Sequence, residues 1–154
     1  MLHLLASLFA AAASLAGLLI QALAGLITHT ARVTWTGQGS ATSTGIYTSS
    51  ADGEDNRSFV VPAGTTDMQI DLDFVYTRLK MLYIKSDQDL TLETNSTNAV
   101  GGDTIAVKEA GPYLWVSSDG TTNPLTTSVT TTYWTNATAE DAAVFMSVLY
   151  DSSP

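Results

Sequence analysis

The chain is 154 residues long, with 6 basic against 15 acidic side chains, a formal net charge of −9 and no cysteine. That length suits one compact domain with a core of its own. An acidic chain of pI near 4.2 lacks the Lys and Arg that neutralise phosphates, which excludes nucleic acid as a partner. Without cysteine there is no disulfide framework, thiol catalysis or Cys-type metal site.

Residues 1–27, MLHLLASLFAAAASLAGLLIQALAGLI, are almost wholly Leu, Ala, Ile and Gly, and every charged side chain lies at or after Arg32. Leu and Ala favour helix, and no proline interrupts the run. The expectation is one long apolar N-terminal α-helix over residues 1–28, ahead of a β-domain over 29–154. Such a helix spans roughly 40 Å, enough to cross a bilayer core of about 30 Å.

Three settings suit this segment. A secretory signal peptide would be cleaved near Ala22-Leu23-Ala24, although the positive leader is missing. A membrane-crossing helix through residues 1–27 would lack flanking anchors, apart from Arg32 and Trp35 on one side. A helix buried in a protein assembly is the third. His3, Ser7, Ala10, Ser14, Gly17, Gln21, Ala24 and Thr28 follow steps of four and three, so a helix would carry them as one stripe of small or polar side chains. Such a stripe lets helices approach closely. Ser7, Ala10, Ser14, Gly17, Gln21 and Ala24 are therefore the expected self-association residues of a homo-oligomer.

From Thr30 onward the composition inverts. Thr and Ser make up 38 residues, and 36 of them follow Ile27. Such β-branched, polar composition suits strands with one solvated face. Strands are expected at His29–Thr36, Thr44–Thr48, Ser58–Val61, Met68–Val75, Leu79–Ser86, Leu90–Thr94, Thr104–Val107, Tyr113–Ser117, Ser128–Thr135 and Ala143–Tyr150. In Asp67–Phe74 the apolar Met68, Ile70, Leu72 and Phe74 alternate with acids and Gln69, so one face is buried and the other acidic. Gly and Pro pairs punctuate the series, as at Pro62-Ala63-Gly64 and Asn123-Pro124. Tyr76–Met81 is compatible with a helical turn, as is the start of Thr138–Phe145. The pattern predicts a mainly β fold, an antiparallel, jelly-roll-like sandwich of about eight strands behind the helix.

The catalytic inventory is thin. Nucleophilic triads need an imidazole, and the only histidines are His3 and His29. His29 reads as an ordinary strand residue, and no phosphate-loop signature appears. No catalytic or cofactor-binding residue is assigned, and the chain is expected not to be an enzyme. Asp52, Glu54 and Asp55 cluster around Gly53, and their oxygens suit calcium, the one cofactor the sequence suggests. Asp71 with Asp73, and Asp87 with Asp89, share strand faces and read as solvated acidic surface. Trp35, Trp115 and Trp134, with Tyr47, Tyr83, Tyr113 and Tyr133, would serve either a carbohydrate-stacking surface or a core. Asn56, Asn95 and Asn136 open N-x-[ST] sequons, which chance supplies in a Thr/Ser-rich chain.

Three stretches carry a resemblance: Ser86–Asn95 (SDQDLTLETN), Asp103–Trp115 (DTIAVKEAGPYLW) and Tyr133–Asp151 (YWTNATAEDAAVFMSVLYD). Over roughly His29 to Asp151 the chain resembles small β-rich structural proteins of tailed-phage virions. In such proteins the region like Ile27–Trp35 looks like a natural N-terminus, so the apolar segment reads as an addition. The resemblance implies a non-enzymatic virion component (minor capsid, decoration or cement-like) that contacts other virion structural proteins. The alternatives are a pilin-like or other cell-surface filament subunit and a secreted carbohydrate-binding domain.

Overall fold

The computed structural model describes residues 26–36, 42–97 and 101–152. Ten strands follow in order: β1 (Ile27–Thr36), β2 (Thr42–Ala51), β3 (Gly53–Val61), β4 (Met68–Phe74), β5 (Leu79–Ser86), β6 (Leu90–Thr94), β7 (Thr104–Val107), β8 (Tyr113–Val116), β9 (Val129–Thr135) and β10 (Ala142–Tyr150). Single 3₁₀ turns at Tyr76–Arg78 and Ser117–Asp119 are the only helical segments among the described residues.

Two four-stranded sheets, ordered β3-β10-β5-β8 and β4-β9-β6-β7, form the body, and β1-β2 makes a separate two-stranded sheet. Every pairing is antiparallel. The pairs nest: β3 with β10, β4 with β9, β5 with β8 and β6 with β7. One long hairpin, β6-β7 at its tip, is thereby folded so that successive pairs fall in alternate sheets. This is the double Greek-key wrap of jelly rolls.

The core between the sheets follows from period-2 alternation. Ile84, Trp134, Met146, Val61, Val107 and Val148 are fully buried there, with Leu72, Phe74, Leu92 and Ile105. On β4, Leu72 and Phe74 point inward while Gln69, Asp71 and Asp73 are exposed, as the alternation predicts. Trp134 meets Phe59 edge-on at 5.1 Å, and its Nε1–H donates to Thr132 Oγ1 at 3.0 Å.

The N-terminal expectation is overturned. The helix was to run through Thr28, but Ile27 and Thr28 open β1, opposite Ala51 and Ser50. β-branched Ile27, Thr28, Thr30, Val33 and Thr34 fit a pleated strand, and β2 supplies the hydrogen bonds. No helix among the described residues is long and apolar enough to cross a membrane. Among the described residues the fold is mainly β, ten strands in three antiparallel sheets: the eight-strand jelly-roll sandwich is preceded not by a helix end at Ile27 and Thr28 but by the two-stranded β1-β2 sheet. Ser7, Ala10, Ser14, Gly17, Gln21 and Ala24 lie outside the described residues. At the other end, Thr138–Phe145 starts as bends and not as a helix, because Asn136 and Thr138 bond the local backbone into a corner before β10.

The β1-β2 hairpin lies on the outer face of the β3-β10-β5-β8 sheet. Its residues alternate, with Thr28, Thr30 and Arg32 exposed and Ile27, His29 and Ala31 half-buried. Ile27, Tyr47 and Ala51 join Met81, Val116 and Leu149 in a second small core. Ser49 Oγ donates to Lys80 O at 3.3 Å, and Ser118 Oγ to Thr48 O at 3.4 Å. The fold is therefore three layers deep on this side.

Candidate functional site

A cavity of about 320 Å³ lies where the third layer meets the sheet. Its floor is the outer face of three strands: Phe145 and Ser147 from β10, Met81 and Tyr83 from β5, and Leu114 from β8. The roof is β1 at His29, Thr30 and Ala31, and Asn56 of β3 closes one side. The outward register makes this floor: Tyr83 opposes both Ser147 and Leu114, and Met81 opposes Val116. Tyr83 and Phe145 form a tilted ring pair 6.0 Å apart.

The polar groups are few. His29 Nε2 lies 2.7 Å from Glu54 Oε1, so hairpin and sheet are latched at the rim. Asn56 Nδ2 donates to the same oxygen at 2.6 Å. Ser147, only 3% exposed, holds its hydroxyl in the floor with no hydrogen-bond partner. Beyond Phe145 the face opens into a shallow groove of about 530 Å³ lined by Val60, Ala143, Lys85 and Asp87. Val60 and Phe145 are 53% and 42% exposed there.

The acids singled out from the sequence are placed apart. Asp52 sits at the corner between β2 and β3, where its Oδ1 accepts from Ser152 N at 2.5 Å. That backbone bond, then the Ser152 side chain, holds its carboxyl below the usual range. Glu54 and Asp55 are successive residues of β3 rather than loop ligands, so they point to opposite faces. Glu54 faces the hairpin. Asp55 takes a fork of bonds from Arg57, Nε at 2.8 Å and Nη2 at 2.7 Å, which raises the guanidinium pKa against the opposing effect of burial. Among the described residues no three His, Asp or Glu side chains converge on a point that would hold a metal.

The other candidates serve the frame. Asp87 Oδ1 accepts from Ala143 N at 2.7 Å, and Asp89 takes Lys108 Nζ at 2.8 Å and Glu109 N at 2.9 Å. Trp115 and Trp134 are core residues, 7% and 0% exposed, so they present no stacking surface. Burial also raises the Tyr113 pKa. Asn136 is fully buried and Asn95 is bonded to Ser128 O and Thr130 N, which leaves Asn56 as the exposed sequon asparagine.

Of the cavity floor, sequence reasoning singled out Tyr83 but missed Ser147, Met81, Leu114 and Phe145. A signal was present. Met81-Leu82-Tyr83-Ile84 and Val144 to Leu149 are apolar on both faces, save Ser147, and strands covered on both sides read this way. No family model matches the chain, and no curated protein or solved structure does either.

Proposed function

We propose that the chain is a non-enzymatic structural subunit of a virus particle, a minor capsid, decoration or cement-like protein that works through contacts of its β-domain. The observation that carries this reading is the nested wrap, β3 with β10 through β6 with β7, in two facing sheets. Capsid proteins are among the known users of that wrap. The resemblance of Ser86–Asn95, Asp103–Trp115 and Tyr133–Asp151 to tailed-phage virion proteins points the same way. A solvated acidic surface suits a subunit that must stay soluble before assembly. Its partners on this reading are other virion structural proteins and further copies of itself.

The test is location. Mass spectrometry of density-purified particles, with gold-labelled antibody against residues 42–152, should find the chain in particles at a fixed ratio to the main shell protein. Label along fibres at the cell surface would replace this reading with a filament subunit. A chain recovered free in the medium and absent from both would sink it.

A further inference from the structure

We infer that the cavity beneath the β1-β2 hairpin is a binding site for an uncharged ring compound with one hydroxyl or carbonyl oxygen. This does not rest on the virion reading, since it concerns the chain alone.

The walls set the ligand's body. Tyr83, Phe145, Met81 and Leu114 are aromatic or aliphatic, and Ala31 closes the roof with a single methyl. Apolar walls with few polar groups are the usual make-up of small-molecule sites. A dry cavity of roughly 150 Å³ accepts benzene, so about 320 Å³ admits a two-ring molecule. The tilted Tyr83–Phe145 pair offers a ring edge and a ring face, against which an inserted aromatic packs well.

The polar groups set its head. Among the described residues of the lining, Ser147 carries the one buried hydroxyl, and it is unpaired. A buried polar group left without a partner is costly and rare in a native interior. The Ser147 hydroxyl is covered in the empty cavity, so a ligand oxygen that moves the side chains over β10 aside would supply the missing bond, accepting from the hydroxyl or donating to it. The rim sets the charge. Glu54 is already engaged by His29 and Asn56, and among the described residues no unpaired cation lines the cavity. On a chain of net charge −9 an anion would gain nothing here.

The full chain titrated with 2-naphthol, and separately with naphthalene, tests this. Methyl NMR should show saturable shifts at Met81 and Leu114. 2-Naphthol should bind about tenfold more tightly than naphthalene, as one added hydrogen bond to an unpaired hydroxyl allows. Ser147→Ala should abolish that preference while leaving naphthalene affinity within about twofold. Ala31→Phe should fill the cavity and weaken both ligands by more than about tenfold, since the ring would occupy their space. An unchanged amide spectrum away from the hairpin would certify its fold. Shifts that never saturate, equal affinity of the two ligands, or a preference that persists in Ser147→Ala would each overturn the assignment.

Discussion

Replacing Asn136 with Ala should cost more than any exposed substitution in this chain, although Asn136 is polar and sits in a turn. It is fully buried where three strand ends meet. Its Nδ2 donates to Val61 O at 3.0 Å and Glu140 O at 2.8 Å. Its Oδ1 accepts from Thr138 N at 3.0 Å and Thr138 Oγ1 at 2.7 Å. One amide therefore ties the end of β3 and the approach to β10, in one sheet, to the end of β9 in the other. Alanine strands two backbone groups, Val61 O and Thr138 N, while Glu140 O keeps the bond from Thr138 Oγ1 at 3.0 Å. At about 1 kcal/mol for each, the loss is about 2 kcal/mol. For a β-domain of this size that is a fall in Tm of about 7 °C. Asn136→Asp should be worse, because a carboxylate oxygen would face two carbonyl oxygens. Urea unfolding followed by tryptophan fluorescence measures the change. An Asn136→Ala midpoint within about 0.5 kcal/mol of the parent would show that water replaces the amide and that the corner does not depend on it.

Two further outcomes follow from single contacts. A Cβ at Gly102 would fall 1.6 Å from Thr94 O, a backbone atom held by the Thr94–Asp103 bonds, so Gly102→Ala should lose about 2–3 kcal/mol by urea unfolding, whereas Gly111→Ala, with nothing within 4 Å, should stay within about 0.5 kcal/mol; equal effects would refute the crowding argument. Lys108, and then the Glu109 N–H, hold the Asp89 carboxyl below its ordinary 3.8. Its folded value is thus depressed, so its contribution is complete above the unfolded value and disappears as pH falls through the folded one. Carbon-detected NMR titration should find Asp89 below the ordinary aspartate range, and Lys108→Met should move it back up; a normal titration in the parent would contradict the pairing.

Much of the β-domain was legible residue by residue. Each of the ten expected strand segments coincides with or lies within two residues of an observed strand over most of its length, because in-out alternation is a local property of the chain. Tyr76–Met81 reads as a turn for the same local reason, and Tyr76–Arg78 is one. Local reasoning erred where a neighbour decides. The Leu and Ala before them predict a helix end at Ile27 and Thr28, yet pairing with Ala51 and Ser50 makes them strand. Gly53 beside them makes Glu54 and Asp55 look like loop ligands, yet β10 draws them into an edge strand where one faces the hairpin and the other faces Arg57. The candidate site was the least legible part. Ser147 is an ordinary serine in the sequence, and nothing within β10 says that β1 lies over it.

What the sequence determined by itself is the alphabet of elements: an apolar, charge-free first segment, and then strands whose two faces are marked by alternating side chains. Only the tertiary structure decided which strands meet. β3 and β10 lie some 80 residues apart, and their pairing depends on the whole chain wrapping so that both inner faces close on one core. The same wrap leaves an outer face that is apolar at Met81, Tyr83, Leu114 and Phe145, and the hairpin covers it in part. The physical reason is that alternation costs and gains energy within a few residues, whereas burial of a face is settled by whatever distant segment is brought against it.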